Sequence, residues 1–261
     1  MISEKINSKE TMDKRAQIIV ALKENLEQND SVFALWLEGA DSTGALDELS
    51  DVDIVADVKD GEEENVYRAI EDILSGIGKL DLNYKSEQGS PLLRYKIYHI
   101  ENTPEHLLID VSVQSHSRDF EFIKDNTAES PSVLFDKTGV IKFKEVPDEE
   151  LQDSINERLV HLKAAFFQRS KVEKYVKRGK FLEALVYYHK NVLQPLVELI
   201  RLKYTPLISE YHLVHISDHL PKELVAEIEE LYKVASLQEI ESNLDKAKEL
   251  FEKMMKEFEG K

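Results

Sequence analysis

Two periodicities divide the chain. Over residues 9–28 the apolar side chains Met12, Ile18, Ile19, Leu22 and Leu26 recur at helical spacing, which predicts a helix. Residues 31–37 and 52–58 are dense aliphatic and aromatic runs and predict the first two strands. Helical spacing returns over 62–74, with Val66, Ala69, Ile70 and Ile73 on the buried face. A short strand over 80–84 and a loop over 85–91 follow, and then runs 92–98 and 107–113 that alternate well enough to be hairpin mates. Residues 133–135 and 140–143 flank Asp136-Lys137-Thr138-Gly139, which predicts another hairpin turning at the glycine.

Near residues 145–148 the strand signals stop. Ile155, Leu159, Leu162 and Phe166 form one helical stripe, and residues 181–204 form a long apolar helix. Pro195 lies inside that helix and implies a kink or break. A further helix over 221–235 opens on proline. Ser236-Leu237-Gln238-Glu239 has the form of a capping box. Behind it Ile240, Leu244, Ala247, Phe251, Met254 and Phe258 make a packing stripe. The expected fold is therefore α+β: a mixed-sheet domain over 1–146 and an all-α helical bundle over 147–261, packed directly on each other with the boundary near Pro147. There are no internal repeats, low-complexity tracts or flexible linkers.

Composition narrows the chemistry. The absence of cysteine excludes disulfides, thiolate zinc sites and a cysteine nucleophile. The first ten residues are too polar for a signal peptide and no apolar run is long enough to span a bilayer, so the expectation is a soluble, cytoplasmic protein with no membrane partner. A formal net charge of −17, with no block of Lys and Arg, argues against a nucleic-acid partner. It suits a cationic small molecule drawn to acidic surface.

Residues 36–58 carry the most specific signal. An apolar run ends in the small-residue turn Gly39-Ala40, with Ser42 and Gly44 close behind. A second run then carries Asp51 and Asp53. Residues two apart on a strand share a face, so these carboxylates project side by side. A hard divalent cation, Mg²⁺ above all, is the usual means of holding such a pair together. Backbone amides at a turn of small residues favour phosphate oxygens. Asp110, in the middle of the run 107–113, is a third charge in a position that needs a partner. It is either a metal ligand or general base, or an edge-strand aspartate paired with Arg94 or Lys96.

The segment resembles the signature of the nucleotidyltransferase superfamily, the polymerase-beta-like fold: an apolar strand, Gly-Ser, a spacer with a second Gly, and Ser-Asp-x-Asp on the next strand. Gly39, Gly44, Ser50, Asp51 and Asp53 fall on those positions, while the family's first serine is Ala40 here. The resemblance covers the first half of the chain well and the second loosely. It implies a nucleotidyltransferase domain followed by a helical substrate-binding domain, as in the small-molecule members that modify aminoglycosides or lincosamides. It also implies transfer of a nucleoside monophosphate from an NTP, most readily ATP, to a hydroxyl of a small acceptor such as a cationic antibiotic. Two Mg²⁺ ions would be held by Asp51, Asp53 and Asp110. Gly39, Ala40, Ser42 and Ser50 are the nucleotide contacts on this reading, with Lys190 of the long helix an ammonium for the triphosphate. Ala40 motivates an alternative, a nucleotide-binding regulatory relative with lost turnover; a protein-modifying, adenylylating relative is another. A homodimer is compatible with either. Finally, His212, His215 and His219 are spaced to share a helical face, where a capped, partly exposed helix is the expectation and a zinc site the lesser one.

Overall fold

The computed structural model describes residues 8–86, 90–126 and 128–259. The loop expected over 85–91 therefore lies partly outside the described residues, as does most of the polar N-terminal segment. Residue contacts divide the chain into two compact units, 1–145 and 146–261. Helix and strand are mixed and the sheet is itself mixed, consistent with the α+β class.

In the first unit the order is α1 (Ser8–Glu27), β1 (Val32–Leu37), α2 (Ala40–Thr43), β2 (Val52–Val58), α3 (Glu63–Ile77), β3 (Leu80–Lys85), β4 (Leu93–Ile100), β5 (Ile109–Ser115), β6 (Phe122–Ile123), β7 (Ser132–Asp136) and β8 (Phe143–Lys144). Six strands form one sheet in the order β3-β4-β5-β2-β1-β7. Every pairing in it is antiparallel except β2 with β5. A parallel pair needs a crossover, and α3 with the β3–β4 hairpin supplies it.

Alternation sorts the side chains of the central strands. Val52, Ile54, Ala56 and Val58 of β2 join Ile109, Val111 and Val113 of β5 in a core with Ile18 and Leu22 of α1 and Val66, Ile70 and Leu74 of α3. Asp53, Val55, Asp57, Asp110, Ser112 and Gln114 consequently take the opposite face. Over part of that face, Trp36 and Val55 pack with Phe120, Phe122, Val140 and Ile141.

The hairpin expected over 133–143 does not form. β7 pairs with β1, and β8 pairs in parallel with β6. The turn chemistry is nonetheless present. Asp136 Oδ1 accepts from the amides of Thr138, Gly139 and Val140, and Oδ2 from Ile141. Burial opposes ionisation of this carboxyl, but the amides hold it below its ordinary value. The turn redirects the chain, and the flanking strands are recruited by different partners.

The second unit runs α4 (Asp148–Phe167), α5 (Ser170–Lys177), α6 (Phe181–Tyr188), a π-helical turn (His189–Leu193), α7 (Gln194–Tyr204), a 3₁₀ segment (Pro206–Tyr211), α8 (Ile216–His219), α9 (Lys222–Tyr232) and α10 (Leu237–Lys256). Its core joins Leu162 and Phe166 of α4, Leu196 and Ile200 of α7 and Ile240, Ala247 and Phe251 of α10. Phe166 and Phe251 stack at 3.9 Å between centroids. Pro195 is accommodated by the π turn just ahead of it, where the wider winding relieves the clash of its ring with the preceding turn. At α10 the Ser236 side chain caps the Glu239 amide, as the capping box predicts.

The expected shared face for His212, His215 and His219 is corrected. His212 (φ 50°) and His215 (φ 53°) have positive φ, and only the four residues of α8 are helical there. The cause is Arg201, which is fully buried. Its guanidinium donates to the carbonyls of His212 and Val214, to Thr205 Oγ1 and to His219 Nδ1. Satisfying that many donors bends the backbone out of a helix.

Candidate active site

The register of the parallel pair places Asp53 of β2 directly beside Asp110 of β5. Asp51 stands one residue ahead of β2. One carboxylate oxygen from each of Asp51, Asp53 and Asp110 lies within 4.8 Å of the others. On the other side of β2, Glu38 continues the ladder of β1 by donating its amide to the Asp53 carbonyl at 3.0 Å. Four acidic residues from three adjacent strand ends thus gather on the face away from α1 and α3.

Two features show how tightly this arrangement is drawn. Gly39 has φ 59°, and a Cβ there would stand 2.2 Å from Asp53 Oδ2. Only glycine leaves the Asp53 carboxylate its place. Asp110 Oδ1 is the one buried side-chain oxygen or nitrogen among the described residues with no hydrogen-bond partner. A buried acceptor without a donor is costly, and a cation is a partner that meets the need.

Electrostatics follow the geometry. Asp53 is pushed up to about 7, first by burial and then by the charges of Asp51, Asp110, Glu38 and Asp41. Burial also raises Asp110; a hydrogen bond from Tyr95 opposes this and the Asp51 charge adds to it. Tyr95 is in turn held protonated well above the ordinary tyrosine range by burial and by Asp110. Glu38 is raised by burial, against a 2.9 Å bond from Trp36 Nε1. The carboxylates of Asp51, Asp53 and Asp110 are the residues that could hold a divalent metal, and their oxygen-only donor set suits Mg²⁺.

The pairing of Asp110 with Arg94 or Lys96 is not what the structure shows. Both cations lie on the helix side of β4, where Arg94 meets Glu63 at 3.1 Å and Lys96 meets Glu71 at 2.8 Å. β5 is also interior to the sheet. The other candidates divide. Gly39 abuts Asp53, and Ala40 opens the four-residue α2. Ser42 donates its hydroxyl to the Gly39 carbonyl at 2.9 Å. Ser50 Oγ accepts from the Asp47 amide at 3.0 Å and donates to Asp47 Oδ1 at 3.0 Å, closing a turn just before Asp51. Lys190 is exposed on the π turn of the second unit.

Three contributors escaped sequence reasoning: Arg15, Glu38 and Tyr95. Arg15 did leave a trace. It sits in the stripe Arg15, Ile18, Leu22, Leu26 of α1, a charge at a core position that must have a partner. Glu38 and Tyr95 left none, because their relevance depends on strand pairing.

No family model matches the chain, and no curated protein does. Among the solved structures that match, an aminoglycoside 6-adenyltransferase from Bacillus subtilis is 18% identical; the likeness covers 97% of this chain and 90% of that one, with a TM-score of 0.35. At that identity and superposition the likeness decides nothing about activity, and the chemistry rests on the carboxylates.

Proposed function

We propose that the chain is a metal-dependent nucleotidyltransferase that moves a nucleoside monophosphate from an NTP, ATP in the first instance, to a hydroxyl of a small acceptor. The observation that carries this reading is the convergence of Asp51, Asp53 and Asp110 with a buried Asp110 oxygen lacking any partner. The sequence order Gly39, Gly44, Ser50-Asp51-Val52-Asp53 supports it.

Asp51, Asp53 and Asp110 would hold Mg²⁺. When bound, the metal neutralises phosphate charge and stabilises the attacking and leaving oxygens of an in-line displacement. Gly39 leaves Asp53 free to serve. The leading amides of α2, at Ala40 and Asp41, have no partner inside a helix this short and are the candidate phosphate donors. Tyr95 holds its proton toward Asp110 and so orients that carboxylate. The surplus of negative charge favours an acceptor that is itself cationic, the aminoglycoside class being one example.

The test is transfer of label from ATP to a panel of hydroxylated acceptors with Mg²⁺, beside Asp53→Ala. The wild type should form product and the variant should lose about 10³-fold or more in rate. Equal transfer by both removes the assignment. The engagement of Ser42 with its own loop, together with Ala40, favours one second reading: nucleotide binding without turnover. Calorimetry showing ATP bound, with no acceptor modified across the panel, would select it.

A further inference from the structure

Arg15 is 3% exposed on α1, and its guanidinium reaches two points that bracket one loop. Nε donates to the Asp51 carbonyl at 2.9 Å, and an Nη2 hydrogen is directed at the Asp41 carboxylate, with which it forms a part-buried ion pair. Asp41 lies in α2, just after the Gly39 turn; Asp51 is the last residue before β2.

Between them the loop has little else to hold it. Residues 43–49 are all exposed, and the apolar side chains Leu46 and Leu49 are 41% and 65% exposed. The other ties include the bonds of Thr43 to the Gly39 carbonyl, the Asp47–Ser50 turn and a bond from exposed His106 to the Glu48 carbonyl. Asp51 itself stands outside the β2–β5 ladder, which begins with the pair Val52 and Ile109. Its carbonyl is held by Arg15, while the amide of the same peptide, that of Val52, donates to the Leu108 carbonyl at 2.9 Å. The direction of the Asp51 carboxylate is therefore set from one side of that peptide by the β5 end of the sheet and from the other by Arg15.

We infer that Arg15 is a positioning residue: by clamping the Asp51 carbonyl and Asp41 together it aims the Asp51 carboxylate at Asp53 and Asp110 and so completes the metal site. The planar fork of arginine suits this double duty, one edge on a carboxylate and one N–H on a carbonyl. A buried ion pair is a weak source of net stability, but it can determine where the groups it holds are placed. Asp41 serves here as the counter-charge of Arg15 in the clamp. The inference rests on the metal site proposed above.

Mn²⁺ binding by the full chain, followed by calorimetry without nucleotide, tests it. Arg15→Gln should weaken Mn²⁺ affinity about tenfold or more. Asp51→Asn should also weaken it. In Asp51→Asn combined with Arg15→Gln, the second substitution should add nothing, since the carboxylate it positions is already gone. A purely structural arginine would give additive losses, and additivity overturns the inference. So does unchanged affinity in Arg15→Gln. Should Arg15→Gln fail to fold by circular dichroism, Arg15→Lys decides in its place: it keeps the charge beside Asp41 but cannot reach both groups, so affinity should still fall, and wild-type affinity overturns. If the wild type binds no Mn²⁺, the metal reading fails and the clamp with it; if the wild type binds, Asp51→Asn weakens binding and Arg15→Gln does not, the clamp alone fails.

Discussion

Two rows of side chains cross the same strands on the same face and have opposite fates. At one end of the β2–β5 pair, Asp53 stands beside Asp110; four residues further along both strands, Asp57 stands beside Gln114. In the second row every demand is met. Buried Asp57 accepts from Gln114 Nε2 at 2.7 Å and lies 2.7 Å from His116 Nδ1, and Arg118 donates to Gln114 Oε1 at 2.6 Å. In the first row carboxylate faces carboxylate, with Asp51 and Glu38 near and one oxygen orphaned. The lower row is a satisfied network and the upper one a cluster of like charges, although strands and face are shared. A buried acid is informative about function only through what its neighbours fail to supply.

That contrast can be broken by making the same substitution in both rows. Asp57→Ala removes the acceptor shared by Gln114 and His116 and should cost about 3 kcal/mol in denaturant unfolding. Asp53→Ala, metal-free, should cost nothing or stabilise, because it relieves repulsion. Matching losses would show that both rows are structural.

The pH dependence sharpens it further. The native state holds a proton on Asp53 up to about 7, whereas the unfolded chain releases it near the ordinary value of 3.8. Between those values this carboxyl binds more protons in the native state, so its contribution to metal-free stability should fall as pH rises and level off above about 7. Melting temperatures of the wild type and Asp53→Asn across that range check this; only the wild type should slope from this cause. A wild type that loses no stability relative to Asp53→Asn across that window would mean that the first row is satisfied like the second. Saturating Mg²⁺ should abolish the fall, since a bound cation stabilises the ionised form.

The smallest expected effect comes from copying one row onto the other. Asp110→Gln turns the upper pair into an Asp–Gln pair like the lower one and should raise metal-free stability by about 1 kcal/mol. Equilibrium unfolding in urea, with Mn²⁺ affinity measured alongside, checks that stability rises while binding is lost.

Much of the site was legible in local pattern. The spacing of Asp51 and Asp53 put them on one face, and Asp110 stood out as a charge within an aliphatic run. Strand 107–113 proved to be Ile109–Ser115, and Asp110 alternates with the core residues Ile109 and Val111 whichever bounds are taken. The hairpin over 133–143 failed for the opposite reason. Its turn is local and real, but strand pairing is chosen by distant segments. The histidine face failed because Arg201, buried on the preceding helix, claims the carbonyls of His212 and Val214.

By itself, the sequence determined where helix and strand periodicities lie, where helical pattern replaces strand pattern, and which acids fall in or beside apolar strand runs. Each of those follows from spacing along the chain, which short-range geometry converts directly into faces. Tertiary structure alone decided that β2 and β5 run parallel in a register that sets Asp53 against Asp110. It also decided that Arg94 and Lys96 turn to the helices and leave Asp110 without either as an ion-pair partner, and that Arg15 takes hold of the loop before Asp51. Those outcomes depend on contacts between residues far apart in the chain, and no local periodicity records them.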